Sequence, residues 1–141
     1  MGDDQAIRLG VIGCGGFGLF ALQHFVQLPG VELVGMAGTH REAAKRAAAR
    51  YNIPDIEDVE ALVARDDIDL VYISTPPFLH HPQAMLALEA SKHVICEKPL
   101  ALTVEQADAT TAMCSSTCIT ASISRCGWIA RSSGFCLSAG R

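Results

Sequence analysis

Glu97 and Lys98 follow directly on the apolar run His93–Cys96, and Pro99 closes the exit. A carboxylate and an ammonium at the mouth of a buried strand can orient a hydroxyl. The ammonium would also favour the alkoxide-like charge that develops as hydride leaves. A second loop carries different chemistry: "GVIGCGGFG" (10–18) places Gly13, Gly15 and Gly18 at G-x-G-x-x-G spacing. Bare glycines let a backbone approach a phosphate, and the free N–H groups of a following helix offer it partial positive charge. A third stretch, "ISTPPFLHH" (73–81), leaves an apolar run through Thr75, two prolines and two histidines. The plainer readings are an ion pair, a glycine-rich turn and an ordinary loop. All three stretches close apolar runs, and that convergence favours a site.

The elements between them must bring these ends together. Apolar runs at 6–13, 31–37, 69–75 and 93–98 read as strands. Helical patterns fall at 17–28, 41–51, 58–65, 82–91 and 103–113, the last with Thr103 placed to cap it. Apolar strands alternating with helices predict βαβ units and an open, doubly wound parallel sheet, a Rossmann-like α/β fold. Such sheets bind ligands outside the carboxyl ends of their strands, where all three stretches lie.

In this loop Gly13 would make the tight turn, Gly15 admit a pyrophosphate and Gly18 bring helix and sheet together. A carboxylate about 20 residues past the last glycine commonly holds the ribose 2′-hydroxyl. Counting from Gly18 reaches Gly38, followed by Thr39, His40 and Arg41. Glycine removes a charge that would repel a 2′-phosphate, Thr39 can donate a hydrogen bond, and Arg41 offers a planar fork. NADP is therefore expected ahead of NAD. A Thr39 that only caps a helix, with a solvated Arg41, is compatible with this.

The 141 residues suffice for one ordinary domain with a core, and 50% hydrophobic with 18% charged residues is a globular composition. A net charge of −4 argues against nucleic-acid or membrane-surface binding. No apolar run approaches the ~18 residues of a membrane span. The start, "MGDDQAIRLG", resembles no signal peptide, so a cytoplasmic location is expected. Cys114, Cys118, Cys126 and Cys136 are irregularly spaced, with no C-x-x-C pair and no histidine nearby, and no metal site is expected.

With "STPPFLHHPQAMLALEASKHVICEKPL" added to the glycine loop, residues 6–113 resemble the N-terminal NAD(P)-binding domain of the Gfo/Idh/MocA family. That family comprises relatives of glucose–fructose oxidoreductase, inositol dehydrogenase and rhizopine-catabolism proteins, and it oxidises or reduces sugars, cyclitols and related polyols. The resemblance implies that Gly13, Gly15 and Gly18, with Cys14, Gly16 and Phe17 in the same loop, hold the pyrophosphate. It implies that Gly38, Thr39, His40 and Arg41 surround the adenosine ribose, and that Ser74, Thr75 and Pro76 line the cofactor crevice. His80 matches the family's histidine. Glu97 and Lys98 would lie near the nicotinamide ribose and the substrate, with Lys98 catalytic and its bond to Pro99 expected cis. Pro77 departs from the family's frequent asparagine, so an amide contact to the cofactor is lost there.

The family continues into a second α+β domain that supplies most of the substrate pocket, the usual Asp/His partners of the lysine and the oligomer interface. No such domain is expected here. All 15 acidic residues lie at or before Asp108, and residues 114–141 form a Ser/Cys-rich tail without sustained periodicity. The expected organisation is thus a dinucleotide-binding domain over 1–113 and an anomalous tail over 114–141. A shifted reading frame or a natural cysteine-rich segment would each produce such a tail. The expected function is the cofactor-binding domain of an NADP-preferring oxidoreductase, inactive alone. A stand-alone nucleotide-binding module or redox-cofactor sensor, or a poorly folding product, are the alternatives.

Overall fold

The computed structural model describes residues 6–38, 40–56 and 58–117. Five parallel strands run in the order β3-β2-β1-β4-β5: β1 (Ile7–Ile12), β2 (Val31–Ala37), β3 (Asp55–Ile56), β4 (Leu70–Ile73) and β5 (His93–Cys96). The chain winds outward from β1 in one direction to β3, then returns to β1's other side for β4 and β5. The carboxyl ends of β1 and β4 therefore flank the point where the winding reverses, which is where such sheets open a crevice.

Alternation along the strands sends side chains into two cores. Leu9 and Val11 of β1, Met36 of β2 and Tyr72 of β4 pack against helices α1 (Gly16–Phe25) and α2 (Arg41–Tyr51). Ile12, Ala37, Val71, Ile73, Val94 and Cys96 face the other way, toward α3 (Val59–Val63), α4 (Pro77–Glu89) and α5 (Val104–Thr117). Burial on both faces is why the strands read as continuous apolar runs.

Several boundaries differ from the sequence expectation. α1 ends at Phe25, and the Gln27 and Leu28 amides bond the carbonyls of His24 and Phe25, three residues back, in tightened turns. The two residues of β3 are too few to show a period. α4 starts at Pro77, five residues before the expected start at Pro82, which lies inside the helix. Pro77 occupies a first-turn position where its missing N–H costs nothing. The preceding turn is anchored by the Leu79 amide on the Pro76 carbonyl and by the ring of His80, and this anchoring outweighs the bond forfeited at Pro82.

α5 begins as expected, with the Gln106 amide donating to Thr103 Oγ1 at 3.3 Å and the Leu102 amide to Gln106 Oε1 at 3.2 Å. It runs to Thr117, past the expected end at 113, and Cys114 on it is buried against the core. The remaining tail cysteines, Cys118, Cys126 and Cys136, lie outside the described residues, as does Thr39. No helix among the described residues is long and apolar enough to cross a membrane.

Candidate cofactor site

The glycine loop joins β1 to α1. Gly13 adopts φ +109°, a region closed to most side chains, and a Cβ there would stand 2.8 Å from the Ser74 main chain. A Cβ on Gly18 would overlap Ser74 Oγ and lie 2.8 Å from the Gly13 carbonyl. These two glycines bring α1 and the β1 exit tightly onto the β4 exit. Gly15 and Gly16 differ: a Cβ on either would meet nothing within 4 Å. Gly15 is the N-cap of α1, no side chain caps the helix, and its first turn carries no acidic residue. An open cradle at an uncapped helix N-terminus fits a pyrophosphate.

Beside the cradle is a pocket of about 260 Å³. Phe17 of α1, Ser74 and Thr75 after β4, Pro77 and His80 of α4, and Glu97 and Lys98 after β5 line it. The volume is below the ~300–1,000 Å³ of ordinary ligand pockets, so it suits one end of an extended ligand whose remainder runs along the glycine loop.

Hydrogen bonds fix the walls. Glu97 is buried, its amide bonds the Ile73 carbonyl, and its Oε1 accepts from Tyr72 Oη at 2.7 Å. Burial, then the Glu97 hydrogen bond, push the Tyr72 phenol up, so it remains a donor. The Thr75 hydroxyl donates to Gln83 Oε1 at 2.5 Å. His80 is buried, with Nδ1 2.6 Å from the Pro99 carbonyl and Nε2 2.7 Å from the Thr75 carbonyl. The ring braces the β4 exit against the turn that carries Lys98. Both nitrogens face main-chain carbonyls, so His80 meets the pocket as part of its wall. The Lys98–Pro99 bond is cis, and Lys98 is exposed at the rim with no ion pair among the described residues. Pro77 lines the pocket, whereas Pro76 caps α4 and is exposed.

The adenosine side has other chemistry. A Cβ on Gly38 would come within 2.7 Å of Cys14 Sγ and 3.3 Å of Ala44 Cβ. Glycine at this position is thus required by packing as well as permissive toward a phosphate. Cys14 is buried, and its thiol is pushed up to about 11 by burial first and then by the charge of Asp55. A thiol so protonated is inert, which leaves the backbone of Cys14 as its contribution to the loop. Cys96, pushed up to about 12 by burial and then by Glu97, is similarly unreactive. His40 occupies the N-cap position of α2 and is exposed. Arg41 Nη2 donates to Asp55 Oδ2 at 2.6 Å.

The structure thus gathers Phe17, Ser74, Thr75, His80, Glu97 and Lys98 around one pocket, with Gly13, Gly15, Gly16 and Gly18 beside it. Gly38, His40 and Arg41 stand apart at the β2 exit. Sequence reading missed Tyr72, Gln83 and Asp55. Tyr72 had a usable signal: it pairs in register with Ile95, whose strand face Glu97 shares by alternation. Asp55 had none, because β3 is too short to recognise. Among the described residues no cluster of three or more His, Cys, Asp or Glu could hold a metal ion.

A family model described as an oxidoreductase family with an NAD-binding Rossmann fold, Gfo/Idh/MocA, matches residues 7–123. A glycosyl hydrolase family 109 protein from Shewanella sp. W3-18-1 is 41% identical over 112 residues, which are 72% of this chain and 24% of that protein. An alpha-N-acetylgalactosaminidase of Shewanella oneidensis is 40% identical over 113 residues, again covering 72% and 24%. The chain spans about a quarter of the length of these curated relatives. Among solved structures, the 3-ketoreductase KijD10 of Actinomadura kijaniata, in complex with TDP-benzene and NADP in an open conformation, superposes with a TM-score of 0.76 at 34% identity. That match covers 82% of this chain and 38% of KijD10. An NAD-binding protein of Listeria innocua gives 0.74 at 30% identity, covering 82% and 35%. The chain belongs to the Gfo/Idh/MocA oxidoreductase family, through its NAD-binding Rossmann domain.

Proposed function

We propose that this chain holds a nicotinamide dinucleotide, NADP ahead of NAD, for an oxidoreductase acting on sugars, cyclitols or related polyols. The observation that carries the reading is the juxtaposition of an open, uncapped α1 N-terminus with the Glu97–Lys98 pocket at the β1/β4 reversal. The pyrophosphate would lie on Gly15 and Gly16, and the nicotinamide end in the pocket. The bound dinucleotide supplies the carbon that accepts or returns hydride. Phe17 and Pro77 give the pocket apolar surface for the nicotinamide ring. Glu97, held by Tyr72, offers its carboxylate to a ribose hydroxyl. Lys98 places an ammonium where a substrate hydroxyl acquires negative charge.

NADP is favoured by the missing carboxylate at Gly38 and by Arg41 at the start of α2. KijD10, solved with NADP, supports the same preference. A reducing, cytoplasmic location belongs to the same proposal, and the buried, protonated thiols of Cys14 and Cys96 are compatible with it.

The similarity to proteins named glycosyl hydrolase and N-acetylgalactosaminidase favours a second reading. A glycosidase can use the same cofactor with no net oxidation. Both readings require a substrate held within reach of the nicotinamide, and a lysine on the rim of an open crevice does not enclose a sugar.

The test is nicotinamide fluorescence titration of the 141-residue chain, followed by absorbance assays with polyols, sugars and an aryl N-acetylgalactosaminide. Saturable binding, tighter for NADPH, without turnover is expected. Binding of neither dinucleotide removes the reading. NADP(H)-dependent turnover abolished by Lys98→Ala shows that these residues enclose substrate unaided.

A further inference from the structure

Asp55 is a carboxylate that the cofactor reading does not use. It stands on β3 opposite Met36, at the exit of the strand that leads to Gly38. Its side chain retains 19% of its exposure. Oδ2 accepts from Arg41 Nη2 at 2.6 Å, while Oδ1 is buried and has no hydrogen-bond partner among the described residues. Among the described residues Arg41 is thus the ion-pair partner of a mostly buried charge. It is also the residue whose guanidinium would favour the extra phosphate of NADP over the hydroxyl of NAD.

We propose that Asp55 sets this chain's discrimination between NADP and NAD by holding Arg41 at the β3 edge. The inference rests on the reading above, in which the adenosine ribose lies against the β2 exit. Two costs follow for a 2′-phosphate and neither for a 2′-hydroxyl. If Arg41 leaves Asp55 for the phosphate, a carboxylate with one unpartnered oxygen loses its compensating charge as well, and breaking such a pair is expensive. If Arg41 stays and bridges both, the phosphate and the carboxylate share one guanidinium at close range, and like charges repel. The preference expected from Gly38 is therefore held down by a neighbouring strand. Asparagine at position 55 would keep an oxygen for Arg41 and remove the charge.

The experiment measures dissociation constants for NADPH and NADH with the parent chain, Asp55→Asn and Asp55→Ser, scoring the variants that retain the parent's circular-dichroism spectrum. Arg41→Gln is then added to each scored variant. NADPH is expected to bind about tenfold tighter to Asp55→Asn, with NADH within about twofold, since tenfold corresponds to about 1.4 kcal/mol. Adding Arg41→Gln is expected to erase that gain. An NADPH-to-NADH ratio unchanged within twofold, equal tightening of both, or a gain that survives Arg41→Gln overturns the proposal. A parent chain that binds neither dinucleotide overturns the cofactor reading itself, so the two failures are distinguishable.

Discussion

The two ends of the crevice are built on different plans. At the β4 and β5 exits, buried side chains lock one another: Tyr72 on Glu97, Thr75 on Gln83, and His80 between the Thr75 and Pro99 carbonyls. At the β2 and β3 exits, the Arg41–Asp55 ion pair leaves one buried carboxylate oxygen without a partner among the described residues. A satisfied network holds one geometry, whereas a pair with an unpartnered oxygen responds strongly to any charge placed beside it. The first plan suits chemistry that needs a fixed ammonium and carboxylate. The second suits a boundary where small charge changes select between cofactors.

Substitutions can break this contrast, and the largest effect is expected where the two halves meet. Gly18→Val would drive a branched side chain into Ser74 and the Gly13 carbonyl, neither of which can withdraw far. Overpacking typically costs about 1–3 kcal/mol, and backbone on one side of the collision puts this case at the upper end. A lower urea midpoint and loss of dinucleotide binding are expected together. Gly15→Val separates the two properties, because its Cβ meets nothing within 4 Å and its φ of −73° suits any residue. Thermal stability should hold, while affinity for both dinucleotides falls at least about tenfold. Unchanged binding would remove Gly15 from the cradle.

Tyr72→Phe tests the locked end. It leaves the buried Glu97 Oε1 without its donor, and a lost partner of this kind costs about 1–3 kcal/mol. Chemical denaturation should show that loss, with the NADPH-to-NADH ratio unchanged because the defect lies at the nicotinamide side. The smallest shift is expected at the adenosine end. Gly38→Asp alone collides with Cys14 Sγ, so Cys14→Ala must accompany it. The double variant should move preference toward NADH, and raising the salt concentration should weaken the parent's NADPH binding more than its NADH binding. Equal responses of the two cofactors would indicate that the 2′-phosphate touches nothing charged here.

These two ends were also unequally legible in sequence. The glycine loop and the run into Glu97-Lys98-Pro99 stand beside long apolar strands, whose burial on both faces makes them conspicuous. The sheet and the pocket residues followed from those runs. The α4 start was misplaced because Pro82 matches the rule for a helix opening, while the contacts that fix the true start at Pro77 come from Thr75 and Pro99, distant in the helical pattern. Tyr72 reads as one more core aromatic until the register places it under Glu97. Asp55 was illegible because two residues carry no period, so nothing in the text announces a strand beside Gly38. Gly38 read as room for phosphate, and the structure adds that Cys14 fills the space where its side chain would begin.

The most direct test of the central claim is a calorimetric titration of NADPH into the parent chain and into Gly15→Val, with the circular-dichroism spectra of both recorded. If the open α1 N-terminus is the pyrophosphate cradle, the parent binds one NADPH saturably and Gly15→Val, equally folded, binds at least about tenfold more weakly. A folded parent with no measurable heat of binding, or two chains with the same affinity, would contradict it.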